Sequence, residues 1–117
     1  MNILIVLNDP PYGTERSYNA LRLALSLSRD KDNVEVRTFL MGDAVGCGKA
    51  GQITPNGWYN LERMLKGLAR AGVPISACGS CIDARGIKEE EFEEGIHRGS
   101  MEELTQWTIW ADKVIVF

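Results

Sequence analysis

At 117 residues the chain has room for one hydrophobic core and reads as a single domain over 1–117, too short for separate cofactor and substrate domains. Its 44% apolar and 25% charged residues suit an ordinary globular protein, and a net charge of -3 gives no electrostatic case for nucleic acid or an anionic membrane surface. No stretch approaches the roughly 20 apolar residues that span a bilayer, so proteins or small molecules are the expected partners.

The opening MNILIVLNDPPYG has a short apolar run, Ile3 to Leu7, with no basic segment ahead of it and no small-residue cleavage site. It reads as a buried strand rather than a secretory leader, which makes the cytoplasm the expected compartment. Three cysteines, an odd number in a reducing compartment, argue against a disulfide framework. A first helix is predicted from near Thr14, an acceptable N-cap, through Ser28, with Ala20, Leu21, Leu23, Ala24, Leu25 and Leu27 on its apolar side. Val34 to Leu40 supplies, in part, the next strand. A second helix is predicted from Asn56 or Gly57, with Leu61, Met64, Leu65 and Leu68 on one face, ending at Gly72 with Pro74 just beyond. Val73 to Ala77 reads as the third strand. The acidic stretch Glu89, Glu90, Glu91, Glu93 and Glu94 reads as a solvated face. Ser100 and Glu103 form an S-x-x-E capping box opening a last helix, with Leu104, Trp107 and Ala111 toward the core, before a final strand at Val114 to Phe117.

Uninterrupted apolar strands alternating with helices indicate an α/β fold whose mostly parallel sheet is covered on both faces. Ligands of such sheets bind beyond the carboxyl ends of the strands. The loops at Asn8 to Gly13, Met41 to Pro55 and Cys78 to Gly86 can therefore meet at one edge. Asn8, Asp9, Tyr12, Gly13 and Asp43 are pocket candidates by loop position.

GCGKAG, residues 46 to 51, has the letters of a dinucleotide fingerprint but does not turn directly from a strand into a helix, and a GxxxxGK[ST] phosphate loop would need glycine at Asp43 and a hydroxyl at Ala50. It reads as a glycine-rich surface loop carrying Cys47, a possible third thiol on the same sheet edge. CGSC, residues 78 to 81, has zinc-binding spacing, but only Cys47 and His97, the sole histidine, could complete a site, and His97 reads as an exposed loop residue. A thioredoxin-like dithiol needs a proline after the cysteines, whereas Pro10, Pro11, Pro55 and Pro74 all precede them. Sulfur transfer needs a partly exposed, electropositive thiolate. Cys78 ends a predicted strand, Gly79 lets the backbone bend and present its amides, Arg85 adds positive charge, and Cys81 could resolve or protect a persulfide. Two cysteines that simply pack remain a fourth reading. No metal and no cofactor is expected. Trp58, Tyr59, Trp107 and Trp110 are candidate subunit contacts.

CGSCIDARG after the third strand, PYGTERSYNALRLA after the first, FLMGDAV after the second, and the ending ELTQWTIWADKVIVF together resemble the DsrE/DsrF/DsrH-like proteins, in particular their small YchN-like branch. The resemblance covers nearly the whole chain. It implies a three-layer α/β/α fold with a five-stranded parallel sheet, a trimeric or hexameric homo-oligomer, and cytoplasmic sulfur relay between a protein persulfide donor and a thiol acceptor. It also implies that Cys78, at the start of the segment closing in Arg85-Gly86, is the sulfur-carrying residue and Cys81 an accessory.

Overall fold

The computed structural model describes residues 1–55 and 58–117. In chain order the elements are β1 (Asn2–Leu7), α1 (Arg16–Leu27), β2 (Glu35–Leu40), a 3-10 helix (Gly42–Gly48), α2 (Leu61–Arg70), β3 (Ile75–Cys78), α3 (Gly79–Ala84), a 3-10 turn (Glu89–Glu91), β4 (Ile96–Gly99), α4 (Met101–Trp110) and β5 (Lys113–Val116). The five strands pair in parallel in the order β4-β3-β2-β1-β5. This is the α/β architecture expected, with α4 on one face of the sheet and α1, α2 and the 3-10 helix packed together on the other.

Register assigns the faces. Val6, Phe39 and Ser76 are aligned across β1, β2 and β3, and Phe39 meets Trp107 of α4 edge-on at 5.9 Å between centroids. Trp107 is therefore a core residue, which removes it from the candidate subunit contacts, whereas Trp58 and Tyr59 are exposed. The other face rests on Ala20, Leu21 and Ala24 of α1 and Leu61, Leu65 and Leu68 of α2.

Several local expectations shift. Helix α1 starts at Arg16, with Glu15 rather than Thr14 at the cap position; Thr14 Oγ1 still accepts from the Arg16 amide at 3.3 Å. Helix α2 starts at Leu61 because the Asn60 side chain accepts from the Arg63 amide at 3.0 Å. The earlier starts expected at Asn56 or Gly57 lie outside the described residues. Residues 78–86 hold α3 where a loop was expected, and Cys47 and Gly48 are buried in the 3-10 helix rather than displayed on a surface loop. His97 is a strand residue, in β4. Strand β5 is not covered on both faces: it is a sheet edge, with Val114 and Val116 exposed.

The acidic stretch is not uniformly solvated either. Glu93 is only 15% exposed and lies with Glu62 around Lys66 Nζ, at 3.6 and 3.8 Å. Burial, and then the hydrogen bond to Glu62, push the Glu93 carboxyl above its ordinary range. Burial opposes ionisation of Glu62 as well, but the Gln52 amide at 2.8 Å and the Glu93 hydrogen bond hold its carboxyl low. The Gln52–Glu62 hydrogen bond fastens residue 52 to α2.

Half of the predicted capping box forms. The Glu103 amide donates to Ser100 Oγ at 3.2 Å, but the Glu103 carboxylate turns inward to accept from the Ser76 hydroxyl and to meet His97 Nε2 at 2.8 Å. Gly99 makes room for this cluster: a Cβ there would overlap Ser76 Oγ and stand 2.9 Å from Glu103 Oε1. Gly99→Ala is expected to lower stability by about 1–3 kcal/mol, the usual cost of overpacking, measured as an earlier urea midpoint at unchanged slope.

Candidate functional site

Strand β3 ends at Cys78 and α3 begins at Gly79, with no residue between them. Cys78 completes the sheet register opposite Gly99 and at the same time occupies the cap position of α3, with φ -54° and ψ 119°. Its side chain makes no cap hydrogen bond to the α3 amides; its sulfur contact is with the Ser80 hydroxyl. The residue is buried, only 6% exposed, where the sequence reading called for a partly exposed thiol; Cys81 is the more exposed of the pair.

Two turns of chain meet there. The Cys78 sulfur lies 3.3 Å from Ser80 Oγ. The Cys81 sulfur accepts from the Gly42 amide at 3.2 Å, tying α3 to the turn that follows β2. Arg85 Nε and Nη2 donate to Asp43 Oδ1 at 2.9 and 2.8 Å, and its Nη1 donates to the Cys81 carbonyl at 3.1 Å. Arg98 Nη1 and Nη2 form a two-pronged pair with Asp83 at 2.9 and 2.7 Å.

Burial works against both thiolates of the pair. At Cys78 it is outweighed by the polar influence of the Cys81 thiol, the Ser80 hydroxyl and the Cys81 and Ser80 amides, and the thiol lies below its ordinary range. At Cys81 burial is reinforced by the neighbouring Cys78 thiol, and neither the Gly42 amide nor Arg85 overcomes this, so that thiol is raised. The two thiols are thus shifted in opposite directions, Cys78 toward the thiolate and Cys81 away from it, and the thiolate is the nucleophilic form of a cysteine.

Of the residues predicted for the site, Cys78, Gly79, Cys81, Arg85 and Asp43 come together. Gly86 follows α3 with φ +62°, a left-handed backbone that favours glycine. The Asn8 carbonyl stands 3.7 Å from where a Gly42 Cβ would be, which puts it beside the turn that holds Cys81. Asp9, Tyr12 and Cys47 form a different cluster. The Asp9 carbonyl accepts from Ser17 Oγ at 2.7 Å and faces the Cys47 sulfur at 3.9 Å, and the Tyr12 hydroxyl donates to Gln52. Gly13, at φ +100° with open space around it, serves the turn into α1. Cys47 is fully buried, and burial pushes its thiol up to about 12.

Sequence reasoning missed Ser80, Asp83 and Arg98. Gly79 was assigned to a backbone bend, yet it does not have a positive φ; glycine is needed there for space, because a Cβ would stand 2.8–2.9 Å from the Arg98 guanidinium. Among the described residues no three His, Cys, Asp or Glu side chains gather around one point that could hold a metal ion. A cleft of about 420 Å³ lies at the opposite end of the sheet, lined by Met1, Asn2, Lys31, Asp32, Glu35 and Pro74 among others, and carries no cysteine.

The model of the DsrE/DsrF-like family matches residues 1–117. Protein YchN of Escherichia coli strain K12 is 44% identical over 115 residues, covering 98% of this chain and 97% of that protein. The crystal structure of ychN protein from E. coli superposes with a TM-score of 0.93 at 43% identity, covering 100% of this chain and 99% of the other. The fold also matches a protein of unknown function, MTH1491 from Methanobacterium thermoautotrophicum, with a TM-score of 0.74 at 16% identity and coverage of 99% and 97%.

Native alkylation is expected to modify Cys78 first, with a midpoint below the ordinary thiol range, then Cys81, with Cys47 unreactive until unfolding; peptide mass mapping over a pH series reads this order. The Cys47 thiol is raised in the fold to about 12, so its contribution to stability is complete below the unfolded thiol value near pH 8.5 and is lost as pH rises toward 12. Wild type should therefore lose more stability than Cys47→Ala between pH 8 and pH 11, by urea unfolding at each pH.

Proposed function

The chain belongs to the DsrE/DsrF-like family, a family associated with sulfur relay, and from that premise we propose that it carries sulfane sulfur as a persulfide on Cys78. The observation supporting this reading is the asymmetry of the dithiol. Of the three cysteines only Cys78 has its acidity raised, and it stands at the strand end where a partner can approach.

The chemistry is a pair of displacements. The Cys78 thiolate attacks the outer sulfur of a protein persulfide donor, R–S–SH; the donor's S–S bond breaks, a new one forms on Cys78, and R–S⁻ leaves. An acceptor thiolate then attacks the outer sulfur of the Cys78 persulfide, becomes R′–S–SH, and returns Cys78 as thiolate. No net oxidation or reduction occurs. The Ser80 and Cys81 amides and the Cys81 thiol would stabilise Cys78 both as attacking and as leaving thiolate.

A second reading is favoured by the placement of Cys81 in the first turn of the helix that Cys78 caps, where the two thiols influence each other's acidity. After loading, Cys81 attacks the inner sulfur, a Cys78–Cys81 disulfide forms, and hydrosulfide leaves, the outer sulfur being reduced while the two thiols are oxidised. Cys81→Ser would abolish this release without preventing loading.

In this proposal the protein acts in the cytoplasm as a trimeric or hexameric homo-oligomer, with Val114 and Val116 on the open sheet edge and Ile109 and Met101 on α4 as the apolar area available to a second copy. None of the helices among the described residues is long and apolar enough to cross a membrane. Sedimentation should show a species larger than 13.0 kDa, reduced to monomer by Val116→Lys.

Intact mass after exposure to a low-molecular-weight persulfide is expected to rise by one sulfur atom in wild type and in Cys47→Ala, with no gain in Cys78→Ser. Equal gain in Cys78→Ser would overturn the assignment.

A further inference from the structure

Arg98 stands on β4 immediately before Gly99, the residue paired with Cys78 across the sheet. Its side chain crosses to α3 and touches it twice. Over Gly79 the approach is so close that a Cβ would be 2.8 Å from Nε and 2.9 Å from Cζ and Nη2. One turn further along α3, Asp83 receives the two outer nitrogens at 2.9 and 2.7 Å. Gly79 and Asp83 are four residues apart on the same helix face, so one planar group spans both contacts.

Two features separate this contact from an ordinary surface ion pair. Asp83 and Arg98 are 63% and 42% exposed, and an isolated pair in that much water contributes little to stability. The pair is nevertheless two-pronged, which fixes the plane of the guanidinium. And the residue beneath that plane is a glycine without the backbone angle that would otherwise call for one.

We propose that Arg98 is the positioning residue of the sulfur site: clasped to Asp83 and lying over Gly79, it holds the β3–α3 junction so that Ser80 Oγ stays beside the Cys78 sulfur, and it brings a cation over the residue that follows Cys78. The inference rests on Cys78 being the reactive thiol. The proximity also shows in the reverse direction, since the Asp83 hydrogen bond and charge, and to a lesser degree the Glu89 and Cys78 charges, hold the Arg98 guanidinium above its ordinary range and so more firmly protonated. Arg85, which sequence reasoning assigned to this duty, instead binds Asp43 and the Cys81 carbonyl, and its charge acts on Cys81.

The test is the pH profile of Cys78 alkylation, read beside sulfur uptake from glutathione persulfide, in Arg98→Met, Arg98→Lys and Gly79→Ala. Arg98→Met should move the alkylation midpoint upward and slow labelling at pH 7, by about tenfold for each unit of midpoint shift. Gly79→Ala retains every charge and displaces only the end of a flexible side chain, so the protein should fold and show a shift of the same sign. Arg98→Lys keeps the charge without the fork and should fall between wild type and Arg98→Met. Unchanged midpoints in both Arg98→Met and Gly79→Ala would overturn the proposal. Because alkylation needs no sulfur donor, a wild type that labels at low pH yet takes up no sulfur would sink the carrier reading alone, leaving the effect of Arg98 on the thiolate to be judged by its own midpoints.

Discussion

The direct passage from β3 into α3 is the constraint on which the site depends. Cys78 has to end a parallel strand and begin a helix with one pair of backbone angles, and only then does its sulfur lie beside Ser80 in the helix's first turn. An added loop residue would swing that turn away. Yet α3 has only six residues, too few to hold a helix without tertiary support. It is kept in place from three directions: Ile82 is buried beneath it, the Gly42 amide and Asp43 grip it from the turn after β2, and Arg98 grips it from β4. The environment of one sulfur is therefore set by contacts from both neighbouring strands.

The α/β class was legible because apolar periodicity is strongest where burial is complete. Every residue of β3 is buried, as are all but the first of β1, and these runs contain no polar side chain except Ser76. Strand β4 gave no such signal, since Ile-His-Arg-Gly has a single large apolar residue and pairs on one side only. Its place comes from cross-strand partners that no local pattern encodes. Strand β5 was found but misjudged: Lys-Val-Ile-Val reads as buried, whereas its position at the other edge leaves two valines exposed. Helix α3 was missed for the opposite reason, being too short to display a period.

The site was legible where chemistry and sequence position coincide. Cys78, Cys81, Asp43 and Arg85 all lie at or just beyond the carboxyl end of a strand, and the sheet rule groups them without knowledge of distances. The same rule over-reached at Asp9, Tyr12 and Cys47, because the chain after β1 turns toward α1 and the 3-10 helix rather than along the sheet edge. Arg98 could not be found this way, as it lies within a strand that was itself invisible. Glu103 shows a further limit. Its spacing from Ser100 fits a capping box, but a buried serine hydroxyl and His97 compete for the carboxylate, and the interior partners win.

The position of Arg85 after the two cysteines suggests that positive charge should activate the thiol, yet the arrangement works by shorter-range means. Arg85 and Arg98 are each neutralised by a carboxylate on the same edge, and the chain as a whole is acidic, so little net field extends into solvent. Burial is the largest influence on all three thiols and raises each of them. What distinguishes them is the supply of hydrogen-bond donors. Cys47 has a serine hydroxyl and its own amide against nearly complete desolvation, and stays protonated. Cys81 receives one amide and is opposed by the Cys78 thiol. Cys78 is under the influence of a thiol, a hydroxyl and two amides at once, and it alone crosses to the acidic side. Since those donors act only at contact range, salt would screen them little, and the reactivity of Cys78 is a property of the junction rather than of the protein's overall charge.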